Sequence, residues 1–97
     1  MKQCEKRDRV MRIWIKTVSD NRVSGDMMIE DRSAETRTHK ITKALEEACK
    51  AFDLSIPIWY QKNISEFKRH SGCRFTKDNF IDELPCDHLE IQVIEED

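Results

Sequence analysis

Glycine and proline are scarce here, with two of each in 97 residues. So few breakers exclude a long flexible linker and a Pro/Gly-rich low-complexity tract. No run of 18 apolar residues occurs, which excludes a transmembrane helix. The opening MKQCEKRDRV is polar and carries no signal-peptide core, so the chain is expected to stay in the cytosol. In that compartment Cys4, Cys49, Cys73 and Cys86 are expected as reduced thiols, not bridges. No catalytic or nucleotide-binding motif stands in the sequence, so no enzyme is expected and no cofactor is implied.

What is present is one domain's worth of chain. A domain of this length buries roughly 60–65% of its unfolded surface, and hydrophobic content of 38% leaves little apolar material to spare. Charged residues make up 37%, and the net charge of −2 argues against a globally basic nucleic-acid binder. The charge is polarised along the chain. Residues 1–16 hold six Lys/Arg against two acids, 62–77 hold five against one, and 82–97 hold seven acids and no base. Residues 1–9 read as a flexible charged leader, and 10–97 as a single α+β domain.

The one long helical signal is Ser33 to Phe52. Ile41, Ala44, Leu45, Ala48, Cys49 and Phe52 fall at i, i+3, i+4, i+7, i+8 and i+11, which draws one apolar stripe. Ser33 is the expected N-cap, and Pro57 ends the region, because the residue before a proline avoids helical geometry. Val10 to Val18 alternates as a strand, with Met11, Ile13 and Ile15 on one side and Arg12, Trp14 and Lys16 on the other. Ser19-Asp20-Asn21-Arg22 is turn material, leading to a second strand over Val23 to Glu30 with Gly25 a bulge or turn. Ile56 to Tyr60 reads as a short edge strand begun at Pro57. Asn63 to His70 reads as a short helix capped by Asn63, and Cys73 to Glu83 as an irregular segment. His88 to Glu95 alternates cleanly, Leu89, Ile91 and Val93 against Glu90, Gln92 and Ile94.

The element order is therefore β-β-α-β-(short helix or loop)-β, with a helix that must cross one face of a sheet of about four strands. In that order, MRIWIKT, MMIED, THKITKALEEACKAF, PIWYQKN and LEIQVIEE resemble the ubiquitin-like β-grasp architecture over most of Met11 to Glu95. The resemblance implies a mixed sheet with the first and last strands parallel at its centre. Conjugated ubiquitin-like modifiers and sulfur carriers end in Gly-Gly; this sequence ends Ile94-Glu-Glu-Asp97, so the resemblance does not reach those roles. The chain is also similar to small bacterial proteins that close on a like acidic strand, a resemblance that implies no activity.

Four groups of residues carry the functional expectations. Arg12, Trp14 and Lys16 would share an open sheet face with Glu90, Gln92, Ile94 and Glu96; Trp and Arg are common interface anchors, and this points to a protein-interaction module. Trp59 and Tyr60 on an exposed edge would offer a second docking place, since an edge strand accepts a partner's main chain. Lys68, Arg69 and Arg74 in the basic 62–77 segment could instead hold nucleic acid or phosphate, while Phe67 and Phe75 among them are expected in the core, which a domain with so few apolar residues needs. His70-x2-Cys73 and Cys86-x-His88 supply four zinc-competent side chains, although without a Cys-x2-Cys pair, and no metal is expected. The same pairs are the only Cys–His nucleophile candidates. The partner expected first is a protein, with nucleic acid second and no membrane.

Overall fold

The computed structural model describes residues 10–95, with side chains through Ile94; the charged leader expected over 1–9 lies outside the described residues. Strand β1 spans Met11–Ser19 and β2 spans Arg22–Asp31. Helix α1 spans Arg37–Phe52 and helix α2 Gln61–His70. Strand β3 spans Gly72–Phe75, a 3-10 turn covers Lys77–Asn79, and β4 spans His88–Glu95. The strands form one antiparallel sheet in the order β2-β1-β4-β3. The architecture is α+β. No helix among the described residues is long and apolar enough to cross a membrane.

Asp20 and Asn21 both take positive φ, 54° and 64°. Two such residues make the tight turn whose twist matches a β-hairpin, and Asn and Asp tolerate it best after glycine. That turn sets the register: Ile13 faces Ile29, Trp14 faces Met28 and Ile15 faces Met27. Beside the turn, Thr17 pairs with Gly25 but Val18 with Val23, so Ser24 is the extra residue of a bulge. Its hydroxyl lies 2.8 Å from that of the buried Thr17.

Alternation then sorts side chains into two faces. Met11, Ile13, Ile15, Leu89, Ile91, Val93, Cys73 and Phe75 form the inner face, packed against Ile41, Ala44, Leu45, Ala48 and Cys49 of α1 and Phe67 of α2. Each fully buried Leu or Ile contributes about 1.5–3 kcal/mol. An exposed ion pair adds about 0–1 kcal/mol, so the fold is decided on the inner face.

Two helix starts differ from the expectation. α1 begins at Arg37, and its N-cap is Thr36, whose hydroxyl accepts from the His39 amide at 3.2 Å. Ser33 instead closes a local turn, its amide donating to Asp31 Oδ1 at 2.8 Å. α2 begins at Gln61 with Tyr60 as N-cap, so Asn63 sits one turn in and its Oδ1 reaches back to the Tyr60 amide at 3.0 Å. The helix stops at Ser71, which takes φ 57° and donates its amide to the Phe67 carbonyl. Gly72 then lets β3 close on β4: a Cβ there would stand 2.6 Å from the Ile91 carbonyl oxygen.

The central pair corrects the expected topology. β1 and β4 run antiparallel, so the parallel centre of a β-grasp is absent. The cause lies between α1 and β4. Ile56 to Tyr60 forms no strand; the Ile58 amide donates to the Asn79 carbonyl at 2.6 Å, and its carbonyl accepts from Asn79 Nδ2 at 2.7 Å. The third strand comes later, at Gly72–Phe75, inside the segment expected to be irregular, and it leaves β4 an antiparallel neighbour on each side.

Candidate functional site: the outer face of the sheet

The outer face carries Arg12, Trp14 and Lys16 of β1, Asp26, Met28 and Glu30 of β2, Arg74 of β3, and Glu90 and Gln92 of β4. Asp26, Met28, Glu30 and Arg74 are exposed, while Trp14, Lys16, Glu90 and Gln92 are half-buried among one another. Trp14 sits at its centre, between Met28 on one side and Gln92 on the other. The indole N–H donates to Asp26 Oδ2 at 2.9 Å. The Lys16 ammonium lies 4.2 Å from the ring centroid, a cation–π distance. The ring is therefore held from its edge and over its face. Met28 is 48% exposed beside it, a soft side chain that adapts to a neighbouring surface.

Charges on this face are arranged in pairs. Arg12 Nε lies 3.1 Å from Glu30 Oε2, and Arg32 reaches the other oxygen of Glu30 at 3.6 Å. Glu90 gathers three cationic or hydrogen-bonding partners: Lys16 at 3.4 Å, Arg74 at 3.1 Å and His88 Nε2 at 2.9 Å. Partial burial pushes the Glu90 carboxyl up, but hydrogen bonding from His88 and the nearby Lys16 ammonium outweigh it and hold the carboxyl below its ordinary range.

Trp14 and Lys16 thus share a face with Gln92 and Glu90, as expected from alternation, and Glu96, expected on the same face, lies outside the described residues. The partners differ in detail. Ile94 is the extra residue of a bulge, since Arg12 pairs with Glu95 and Ile13 with Val93, and Gln92 takes the place beside Trp14.

The second expected docking place is not an edge strand, and the sheet's edges are β2 and β3. Trp59 leans inward, edge-to-face on Phe75 at 4.9 Å and on Phe67 at 5.7 Å, contacts worth about 0.5–1.5 kcal/mol each. Tyr60 is exposed and donates its hydroxyl to the Asp78 carbonyl at 3.2 Å.

Of the basic group, Lys68 and Arg69 lie exposed at the end of α2, whereas Arg74 projects from the opposite face of the sheet to Glu90. Phe67 and Phe75 are buried core residues.

The four zinc-competent residues do not meet. His70 is exposed, Cys73 faces the core, and Cys86 donates its thiol to the His88 carbonyl at 3.5 Å while His88 turns to Glu90. Among the described residues, no group of three or more His, Cys, Asp or Glu could hold a metal. Burial pushes the Cys49 thiol up to about 11 and the Cys73 thiol up to about 12, which suits packing and opposes nucleophilic use.

Two features were missed by the sequence. Met27-Met28-Ile29 is an unbroken apolar run, so alternation alone does not say which side chain faces out; the Asp20-Asn21 turn decides it. Asn63 and Asn79 are both 1% exposed and bonded to each other, Nδ2 to Oδ1, at 2.8 Å. Asn63 also donates to the Arg74 carbonyl, and Asn79 Oδ1 accepts from the Thr76 amide. Nothing in the local sequence of an Asn distinguishes a buried clasp from a loop cap. Protein-family models, curated proteins and solved structures were compared with this chain, and none matches it.

Proposed function

We propose that this chain is a protein-interaction module that docks through the outer face of its sheet with Trp14 as the anchor. The observation that carries the reading is an indole fixed in place on a face left open by both helices. A ring already held by Asp26 and Lys16 loses little freedom on binding, and such preorganisation favours affinity. Met28 supplies adaptable apolar area next to it. Because Arg12, Lys16, Arg74, Glu30 and Glu90 are paired among themselves, the partner is expected to offer an apolar patch rimmed by both signs of charge, not a surface of one sign.

Size sets the expected strength. Four strands about 4.8 Å apart and roughly eight residues long at about 3.4 Å each give a face of about 500 Å². A standard interface takes roughly 800 Å² from each partner, so the sheet face alone is the size of a small, transient interface.

The test uses a protein retained by the immobilised chain, purified and titrated against it by calorimetry. Trp14→Ser and Met28→Glu should each weaken binding at least tenfold with the circular dichroism spectrum unchanged. Equal binding by both variants would remove the reading.

A further inference from the structure

The two edges of the sheet are finished differently. On β3 the Arg74 carbonyl is taken by Asn63 Nδ2 at 3.0 Å, and the strand is only four residues long. The other edge, β2, runs for ten residues without a proline, and among the described residues no hydrogen bond reaches its free side.

Which main-chain groups stand free follows from the pairing. The Val18 carbonyl accepts from the Asp87 amide, and the Val93 amide donates to the Ser71 carbonyl. Val18 therefore faces β4, and Val93 faces β3. Main-chain groups of successive residues point to opposite sides of a strand, so Trp14 and Lys16 face β4 while Ile13 and Ile15 face β2. Their partners Ile29 and Met27 face back, which turns the amides and carbonyls of Asp26, Met28 and Glu30 away from the sheet. The side chains of the same three residues lie on the outer face.

Charge selects the occupant. β2 holds three acids against one base. Glu30 already meets Arg12 and Arg32. Asp26 accepts from the Trp14 indole, and Lys16, its neighbour across the pair, reaches to Glu90 instead. A second copy fits poorly. In two-fold antiparallel pairing centred on Asp26, Met27 or Met28, Asp26 would oppose Asp26, Arg22 would oppose Arg32, or Asp26 would oppose Glu30. Like charges directly opposite destabilise a sheet. We infer that β2 accepts, as a fifth strand, an extended segment of a partner with a cation opposite Asp26 and an apolar side chain opposite Met28. Strand addition draws affinity from main-chain bonds and specificity from alternate side chains, so this site does not depend on docking through Trp14.

The probe is the end-capped peptide Thr-Lys-Thr-Val-Thr-Lys-Thr, which reads alike in both directions, so one Lys meets Asp26 whichever way it runs. Titrated into the isotopically labelled full-length chain, it should give saturable amide shifts at Asp26, Met28 and Glu30 and slow their hydrogen exchange, with Cys73 and Arg74 unmoved. N-methylation at Lys, Val and Lys removes the amides aimed at β2 and should weaken binding about tenfold or more. N-methylation at the two inner Thr residues, whose amides point away, should leave binding unchanged. Glu in place of both Lys should weaken it about tenfold, and Asp26→Asn, which keeps an acceptor for the indole, about fivefold. Trp14→Ser should leave the peptide's affinity unchanged, so failure of the face and failure of the edge are read separately. If Asp26→Asn fails to fold, the peptide series on the wild-type chain decides alone. Equal binding of the Lys-Val-Lys methylated peptide, equal binding of the Glu peptide, or shifts centred on the Trp14 indole with β2 exchange unchanged would overturn the assignment. So would a dimer whose Asp26, Met28 and Glu30 amides are slow to exchange before peptide is added, since a second copy would then fill the edge.

Discussion

The two tryptophans stand on opposite sides of one sheet and are held in different ways. Trp59 is wedged between Phe67 and Phe75, and its surroundings are the core itself. Trp14 is held by one hydrogen bond and one ammonium, on a face where Met28 and Asp26 remain exposed. Removing Trp59 takes ring contacts from Phe67 and Phe75, whereas removing Trp14 leaves water and a freed Asp26. The same residue type therefore serves the fold on one face and remains available to a partner on the other. Neither assignment follows from the side chain alone.

That contrast can be broken at several places. The largest effect is expected on the inner face. Phe75 is fully buried and supports Trp59; Phe75→Ala should destabilise the fold by about 4 kcal/mol in urea unfolding. If it cost under about 1 kcal/mol, the inner face would not be the seat of stability. The clasp comes next. Asn79→Ala strips partners from the Ile58 carbonyl, the Thr76 amide and Asn63 Oδ1. It should cost about 2–3 kcal/mol, since buried polar groups left unpaired lose their full solvation. Hydrogen exchange should show the loss first at Ile58 and Thr76.

The outer face should give little. Glu90→Gln removes a carboxylate that is about a quarter exposed, and the expected loss at neutral pH is below about 1 kcal/mol. Its pH dependence has a definite sign. The folded state lowers the Glu90 pKa, so its contribution is complete above the ordinary glutamate range and is lost as pH falls through the lowered value. Wild type and variant should therefore differ at neutral pH and converge in acid; a gap that widened in acid would contradict the assigned pairing. The smallest effect concerns the thiols. With burial raising Cys49 to about 11 and Cys73 to about 12, both should stay unlabelled by a thiol reagent at pH 8 until urea unfolds the chain.

The contrast between faces also separates what was legible in the sequence from what was not. The α1 stripe and the alternation of β1 and β4 are local patterns with fixed periods. They identify the core residues Ile41, Leu45, Ile13 and Ile91 and put Trp14 on the same face as Glu90. Strand direction is not local. An alternating β4 buries Leu89, Ile91 and Val93 whether it runs with β1 or against it, so periodicity cannot decide between them. The decision fell to the segment from Ile56 to Phe75, where the apolar residues follow no single period. There two buried asparagines, not a hydrophobic pattern, hold the chain. The β-prone run beside Pro57 reads as an edge strand for the same reason, unless the Asn79 bonds to Ile58 are known.

The most direct measurement is equilibrium urea unfolding of Trp14→Ala and Trp59→Ala side by side, followed by far-ultraviolet circular dichroism because each variant loses a fluorophore. The account predicts that Trp59→Ala loses about 3 kcal/mol and Trp14→Ala no more than about 1 kcal/mol. Equal losses, or the reverse order, would mean that Trp14 belongs to the fold, and the outer face would lose its claim as a docking surface.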